Sequence, residues 1–449
     1  MITSITLQNF RAFQEEVTVR FRPITVLIGR NSAGKSSVIK FLLMLKQTLD
    51  SKADTFFVTA GSDVQLGTWK DLRNSNTRHA HRDDNLKFAV EVLTEDMPAP
   101  DIQEMWKVLS QSGAVSTVND RIKLNLEFRR QPVRQENPKG RFIIRGRVFY
   151  GRKFKYGMHD IRGYLDRRLI FHKRTDNLET STFLRFGQRT DSLSKMVEAI
   201  AAEPFLETLR QEFVSVRHLS PIREESNLTV QTGSPLPGYV GHRGEHAMPH
   251  LVRILKDEEK ADKAGLILRY AEKVARIDRF KFESQASRLL TKIEGRNMDT
   301  GAVCSLKDFG FGVSQCLPMF VQGAMQHAGQ LLVVEQPESQ LHPTAQFELG
   351  SFFAELWTKY KVPSLIETHS GNALLRLRKL VKQQQLQPKD ISVAYLTVEE
   401  VKRGRGGVTD AVVVKNLDVN PDGSLEKGLP MEFFGADLLE ALEMGASKP

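Results

Sequence analysis

The chain opens on alternation. In "ITLQNF" and "VTVRF" apolar and polar positions take turns, the period of a half-buried strand. "ITVLIGRNSAGKSSVIKFLLMLKQTL" then changes texture twice, from a continuous apolar run, through a glycine- and serine-rich loop, to apolar residues spaced by three and four. That order predicts strand, glycine loop, helix, with Val38, Phe41, Leu42, Leu45 and Leu49 on one helix face. Further on, "EKADKAGLILRYAEKVARI" and "PTAQFELGSFFAELWTKY" read as helices, the second with Pro343 suited to its first turn. "LLVVE" and "SLIE" are short apolar runs that end on an acid, and "ISVAYLTVEEV" and "DAVVVKNLDV" alternate again before the turn "NPDG". Strands interleaved with helices predict an α/β fold.

The middle differs. After a short helical piece, "DIQEMWKVLSQ", come basic, β-prone segments, "RIKLNLEFRR" and "RFIIRGRVFYGRKFKYG", with "PKG" and "YGM" as turns. The pattern divides the chain into an N-terminal lobe (1–100), a basic β-rich insertion (101–213) and a C-terminal lobe (214–449). The third part begins with a long Gly-, Pro- and Ser-rich stretch, "HLSPIREESNLTVQTGSPLPGYVGHRGEH", of a length that is usually functional.

Charge sharpens this picture. The 449 residues carry a net +10, yet residues 121–190 alone hold 19 Lys and Arg against 6 Asp and Glu. The basic excess therefore sits in one block, and Phe149, Phe154 and Tyr156 are interleaved with it. That mixture suits DNA or RNA, through phosphate contact and base stacking. An acidic protein partner, or a merely solvated face, is the competing reading. Two cysteines, Cys304 and Cys316, exclude a disulfide framework and give no metal cluster, which fits a reducing compartment. The start lacks the pattern of a signal peptide, and no run approaches the roughly 18–20 apolar residues of a membrane span. The sequence reads as soluble and cytoplasmic, with no membrane partner.

The candidate chemistry lies at the ends of the apolar runs. "GRNSAGKS", Gly29 to Ser36, matches G-x-x-x-x-G-K-[ST] between a predicted strand and a predicted helix. Gly29 and Gly34 permit the tight loop, and the backbone of Asn31, Ser32 and Ala33 turns N–H groups toward phosphate oxygens. Lys35 is expected to reach the β- and γ-phosphates of ATP, and Ser36 to ligate Mg2+. In "VVEQPE", Glu335 ends a buried strand, where magnesium would offset the cost of a carboxylate. The position after it, where a general base is expected, is Gln336. Glutamine orients a water but cannot take its proton, so either Gln336 only orients the attacking water or Glu338 supplies the base. His369, just past "LIET", is placed to bond the γ-phosphate or that water. "FGFGVSQ" puts Gly312, Ser314 and Gln315 at another helix start, a second anion site.

Taken together, these pieces resemble the ABC-class ATPases of the SMC, RecF and OLD (overcoming lysogenization defect) group. "ITLQNFRAF" is similar to that group's opening strand and "SQLHP" to its loop after the Walker B strand. "VQLGTWKDL", "LSPIRE", "VGHRGE", "GFGVSQ", "EQPESQLHP" and "DGSLEKGLPMEFF" resemble one subfamily of small stand-alone ATPases. The resemblance implies a head with a mixed sheet flanked by helices, and ATP sandwiched in a head-to-tail homodimer, alone or within a higher assembly. It implies Gly29, Asn31, Gly34, Lys35, Ser36 and Ser37 as the P-loop, Glu335 as the magnesium-side acid, Ser314 and Gln315 as the signature offered to the partner's nucleotide, and His369 as the switch histidine. It further implies Gln65 on the magnesium and Arg11 near the phosphates. "GFGVSQ" departs from the group's leucine-serine-glycine-glycine signature. Past His369 no acidic constellation of a Toprim nuclease follows, so an effector such as a nuclease or toxin would be a separate chain. The group's association with antiviral defence sets the expected setting: a slowly hydrolysing switch that controls a partner in nucleic-acid transactions. The alternative is an ATP-gated scaffold for an acidic protein.

Overall fold

Ile24–Gly29 is buried at every position, an interior strand of a six-stranded sheet. The computed structural model describes residues 1–51, 57–75, 86–93, 116–130, 142–156, 159–171, 210–225, 229–231, 235–284, 290–403 and 407–426, the three strands between 116 and 171 by backbone alone. The helical piece 101–111, the turns "PKG" and "YGM", the basic block's side chains and the tail beyond 426 lie outside the described residues.

In chain order, β1 (Ile2–Gln8) and β2 (Val17–Arg20) are followed by β3 (Ile24–Gly29) and helix α1 (Lys35–Asp50). Next come β4 (Leu86–Leu93), β5 (Ser116–Arg130), β6 (Phe142–Tyr156), β7 (His159–Phe171), β8 (Arg217–Leu219) and β9 (Thr229–Gln231). Helices α2 (Ala247–Lys256) and α3 (Ala261–Ala275) lead to β10 (Ile277–Ser284), β11 (Leu290–Asn297) and β12 (Val303–Ser305). Then follow α4 (Phe311–Met325), β13 (Leu332–Glu335), α5 (Pro343–Tyr360), β14 (Ser364–Glu367), α6 (Gly371–Lys382), β15 (Ile391–Arg403) and β16 (Gly407–Asp418).

These elements fall into two units. The first gathers residues 1–21, 31–215 and 396–414. Its sheet runs β2-β1-β4-β5-β6-β7, antiparallel at each junction, so the basic strands β5–β7 continue the sheet begun by the opening strands. The five α1 residues predicted to share a face are all buried, and Phe41 stacks edge-on between Phe10 and Phe88, with ring centroids 5.5 and 4.9 Å away.

The second unit gathers residues 22–30, 216–395 and 415–449. It holds β3, β14, β13 and β8 side by side and parallel within the order β16-β15-β3-β14-β13-β8. Parallel strands buried on both faces need continuous apolar runs, which "ITVLIG", "LVV" and "SLI" supply. Val26, Ile28, Val334 and Ile366 share one apolar core with Phe320 of α4 and Phe352 of α5. Strands β10–β12 form a separate antiparallel sheet, with β9 added beside β11. The fold is α/β, as the alternation predicts. Among the described residues, no helix is long and apolar enough to cross a membrane.

Candidate functional site

In the second unit the pairings Glu335↔Glu367 and Glu367↔Leu27 bring the carboxyl ends of β13, β14 and β3 to one edge. Ligands of open parallel sheets bind at such an edge. Thr368 N–H donates to the Leu27 carbonyl at 3.1 Å and Gln336 N–H to the Glu367 carbonyl at 2.7 Å, so the loops are stitched across the strand ends.

Each residue predicted from "VVEQPE" has a distinct environment. The Glu335 side chain is 13 % exposed, and its Oε1 lies 2.7 Å from His218 Nε2. Gln336 adopts a left-handed backbone, φ 45°, which a non-glycine residue holds only at a cost. Its side-chain amide makes no hydrogen bond among the described residues. Glu338 Oε1 accepts the backbone N–H of His369 at 2.8 Å, tying the loop after β13 to the loop after β14. Its Oε2 is buried with no hydrogen-bond partner among the described residues. Burial pushes the Glu338 carboxyl above the ordinary glutamate range, opposed mainly by the His369 N–H.

The "FGFGVSQ" segment opens α4 as predicted, with Gly310 as its N-cap at φ 88°. Ser314 and Gln315 are both buried, and Gln315 turns inward to the backbone of Arg223. Phe311, at the exposed start of the helix, is 44 % accessible. Gly312 abuts the loop after β13: a Cβ there would stand 2.8 Å from the Gln340 carbonyl oxygen.

The glycine loop straddles the division between units, with Gly29 in the second and Asn31 onward in the first. Gly29 (φ 145°), Ser32 (φ 64°) and Gly34 (φ 92°) hold positive φ, and Ser37 N–H closes the first helical turn on the Gly34 carbonyl at 2.9 Å. Asn31 and Ser32 form an exposed crest, whereas Ala33, Lys35 and Ser37 are buried and Ser36 is half-buried. Within the first unit, Ala12 and Phe13 press on Gly34, so a Cβ there would meet Ala12 Cβ at 2.9 Å. Arg11, next to them, has φ 47°, donates its N–H to the Leu72 carbonyl and accepts from Asn74. Gln65 is exposed on a loop that Gln47 of α1 pins through Val64, and its amide donates to the Gly61 carbonyl at 2.9 Å.

Sequence reasoning passed over three residues. Arg223, 1 % exposed, donates to the carbonyls of Gln315 and Glu335. His218 holds the Glu335 carboxylate, and His242 stands behind it at 3.2 Å. Their signals in the sequence were the length of the Gly-, Pro- and Ser-rich stretch that begins with His218 and the segments "LSPIRE" and "VGHRGE", which hold Arg223 and His242.

For a metal, Glu335 in the second unit offers a carboxylate oxygen, the hard donor magnesium takes alongside retained water. Glu335 fits further because its second oxygen has no hydrogen-bond partner among the described residues and is not sealed from solvent. Among the described residues there is no cluster of three or more His, Cys, Asp or Glu for a transition metal.

The glycine loop has the strand-to-helix context that the P-loop pattern requires, and in the second unit β13 and β14 end on acids at one strand edge. Residues 1–139 match the family model described as an AAA ATPase domain. Among solved structures the chain is similar to the SMC head domain from Thermotoga maritima, at 10 % identity and TM-score 0.36, covering 92 % of this chain and 98 % of that one. It is also similar to an SMC head from Pyrococcus furiosus with an extended coiled coil, bound to the C-terminal domain of ScpA, at 11 % identity and TM-score 0.39, covering 99 % of both chains. No curated protein matches.

Proposed function

We propose that the chain is a magnesium-dependent ATP switch, in which Glu338 rather than Gln336 is the base. The supporting observation is the environment of Glu338: a buried carboxylate with raised pKa, anchored by one oxygen to the His369 N–H and free at the other. A base nearer neutrality in pKa is the better proton acceptor at working pH. Gln336, whose amide makes no hydrogen bond among the described residues, orients the attacking water, and His369 bonds the γ-phosphate. Lys35 and the loop N–H groups hold the β- and γ-phosphates. Ser36, Gln65 and Glu335 would hold magnesium, which when bound neutralises charge developing on the phosphate oxygens.

ATP turnover under single-turnover conditions tests this. Glu338→Gln is expected to lower the rate about 10²- to 10⁴-fold, the usual worth of a general base, with Gln336→Glu changing it little. A faster Gln336→Glu enzyme with a silent Glu338→Gln would reverse the assignment.

At the level of assembly, the switch works as a head-to-tail homodimer with ATP between protomers. The burial of Ser314 and Gln315 leaves the backbone at Gly310–Gly312 as the part of the signature that meets the partner's nucleotide. The client is nucleic acid held by the basic strands, and a separate effector answers the switch, in keeping with the resemblance to defence ATPases. Binding through an acidic protein instead would survive nuclease treatment and show little dependence on nucleic acid.

A further inference from the structure

Glu335 is gripped at both ends by one short piece of chain, "RHLSPIR", that begins as β8 beside β13. At the side chain, His218 Nε2 meets Oε1 at 2.7 Å. With the carboxylate accepting, Nε2 carries the hydrogen, so in the neutral ring Nδ1 is an acceptor and His242 Nδ1, 3.2 Å away, donates to it. At the backbone, Arg223 Nη2 donates to the Glu335 carbonyl at 3.0 Å.

Arg223 reaches in a second direction. Nη1 donates to the Gln315 carbonyl at 2.8 Å, and the Arg223 backbone exchanges two 3.3 Å bonds with the Gln315 side-chain amide. One buried guanidinium thus joins the start of α4 to the end of β13. It makes no ion pair with a carboxylate among the described residues, and its Nε is buried without an acceptor. Burial lowers its pKa to about 10, while Cys316, Glu338 and Glu335 pull it back up. A cation buried against carbonyls costs stability. Here it buys geometry, since both carbonyls it holds belong to segments predicted to meet nucleotide.

We propose that His218 and Arg223 are positioning residues for the metal-side carboxylate Glu335, and that through Arg223 the same clamp sets the start of α4. The inference rests on Glu335 being that carboxylate. His218 occupies Oε1 and so fixes the carboxylate plane, leaving Oε2 for the metal. Arg223 fixes the strand end from which the side chain projects. Hydrogen-bond partners of metal ligands of this kind are typically worth about 10- to 100-fold in metal affinity.

The test uses Mn2+ as the probe. It is titrated by electron paramagnetic resonance into the full chain bound to a non-hydrolysable ATP analogue, and analogue affinity in EDTA is measured separately. His218→Phe is expected to weaken Mn2+ about 10- to 100-fold with affinity in EDTA unchanged, and His218→Gln, which keeps a polar group at similar reach, to recover most of the loss. His218→Asn, too short to reach Oε1, should behave like the Phe variant and replaces it if that chain does not fold. Arg223→Lys, which keeps the charge but loses the fork, should weaken Mn2+ and increase hydrogen exchange across 311–317 together. Superimposable Mn2+ titrations for wild type and the His218 variants would overturn the clamp, as would equal losses in Mn2+ and EDTA affinities for all of them. Glu335→Gln separates the two ideas. If it leaves Mn2+ binding intact, the reading of Glu335 itself fails; if it weakens binding while the His218 variants do not, only the clamp fails.

Discussion

At the scale of single residues, the chemistry turns on which carboxylates are free to act. Glu338 is expected to leave its mark on pH dependence. As the proposed base it would work ionised, so the rate should climb as pH rises through its elevated pKa, with an acidic limb displaced above the ordinary glutamate range. The same shift has a stability sign. A carboxyl whose folded pKa is raised stabilises the fold below its unfolded pKa, and that contribution is lost as pH rises through the folded pKa. Glu338→Gln should therefore gain Tm over wild type at pH 8 relative to pH 5, and thermal unfolding at the two values checks it. Lys35→Ala should weaken ATP binding by about 10- to 100-fold, the worth of a charge-assisted hydrogen bond, in equilibrium binding of a fluorescent ATP analogue. Glu335, Gln336, Glu338 and His369 were legible because each follows an apolar run that can only be a buried strand. Arg223 and His218 were not. Their partners are 112 and 117 positions away, and nothing local says that β8 and the loop after it lie against the end of β13.

At the scale of elements, two glycines mark close approaches that tolerate no side chain. Gly34→Ala adds a left-handed strain of about 1–3 kcal/mol and a clash with Ala12, so it should lower both Tm and ATP affinity. Gly312→Ala drives a methyl into the Gln340 carbonyl and should slow turnover more than it weakens ATP binding by a single protomer, because its proposed nucleotide contact is with the partner's ATP. Comparing kcat with analogue binding separates the two outcomes. Helix α1 shows where periodicity stops informing. Its apolar face was readable, yet Lys46, Gln47 and Thr48 are buried too, satisfied by Asp63, the backbone of Val58 and Val64, and the Met44 carbonyl. Polar residues that bury by holding a loop look, in sequence, like a solvated face. The strand order was equally hidden, because β14 lies between β3 and β13 while following both in the chain.

At the scale of the whole molecule, the basic block should show itself through salt. Nucleic-acid affinity is expected to fall steeply with ionic strength, with the log–log slope flattening by about 0.7 to 0.9 for each phosphate contact removed. Neutralising Arg145, Arg147, Arg152 and Lys153 should flatten it, and an unchanged slope would count against that client. The charge was plain in the sequence, but the sheet the basic strands join was not, because strand pairing is a long-range property. The division of the chain into interleaved units carries a further consequence, for synthesis. The first unit draws on residues 396–414 and the second on residues 22–30, so neither is complete until nearly the whole chain has left the ribosome. Nascent chains must hold unfinished sheet edges for most of translation, which makes folding slow and exposes it to aggregation. Neither unit can be excised as a contiguous fragment, and a stop before residue 396 should yield insoluble protein rather than a smaller working head.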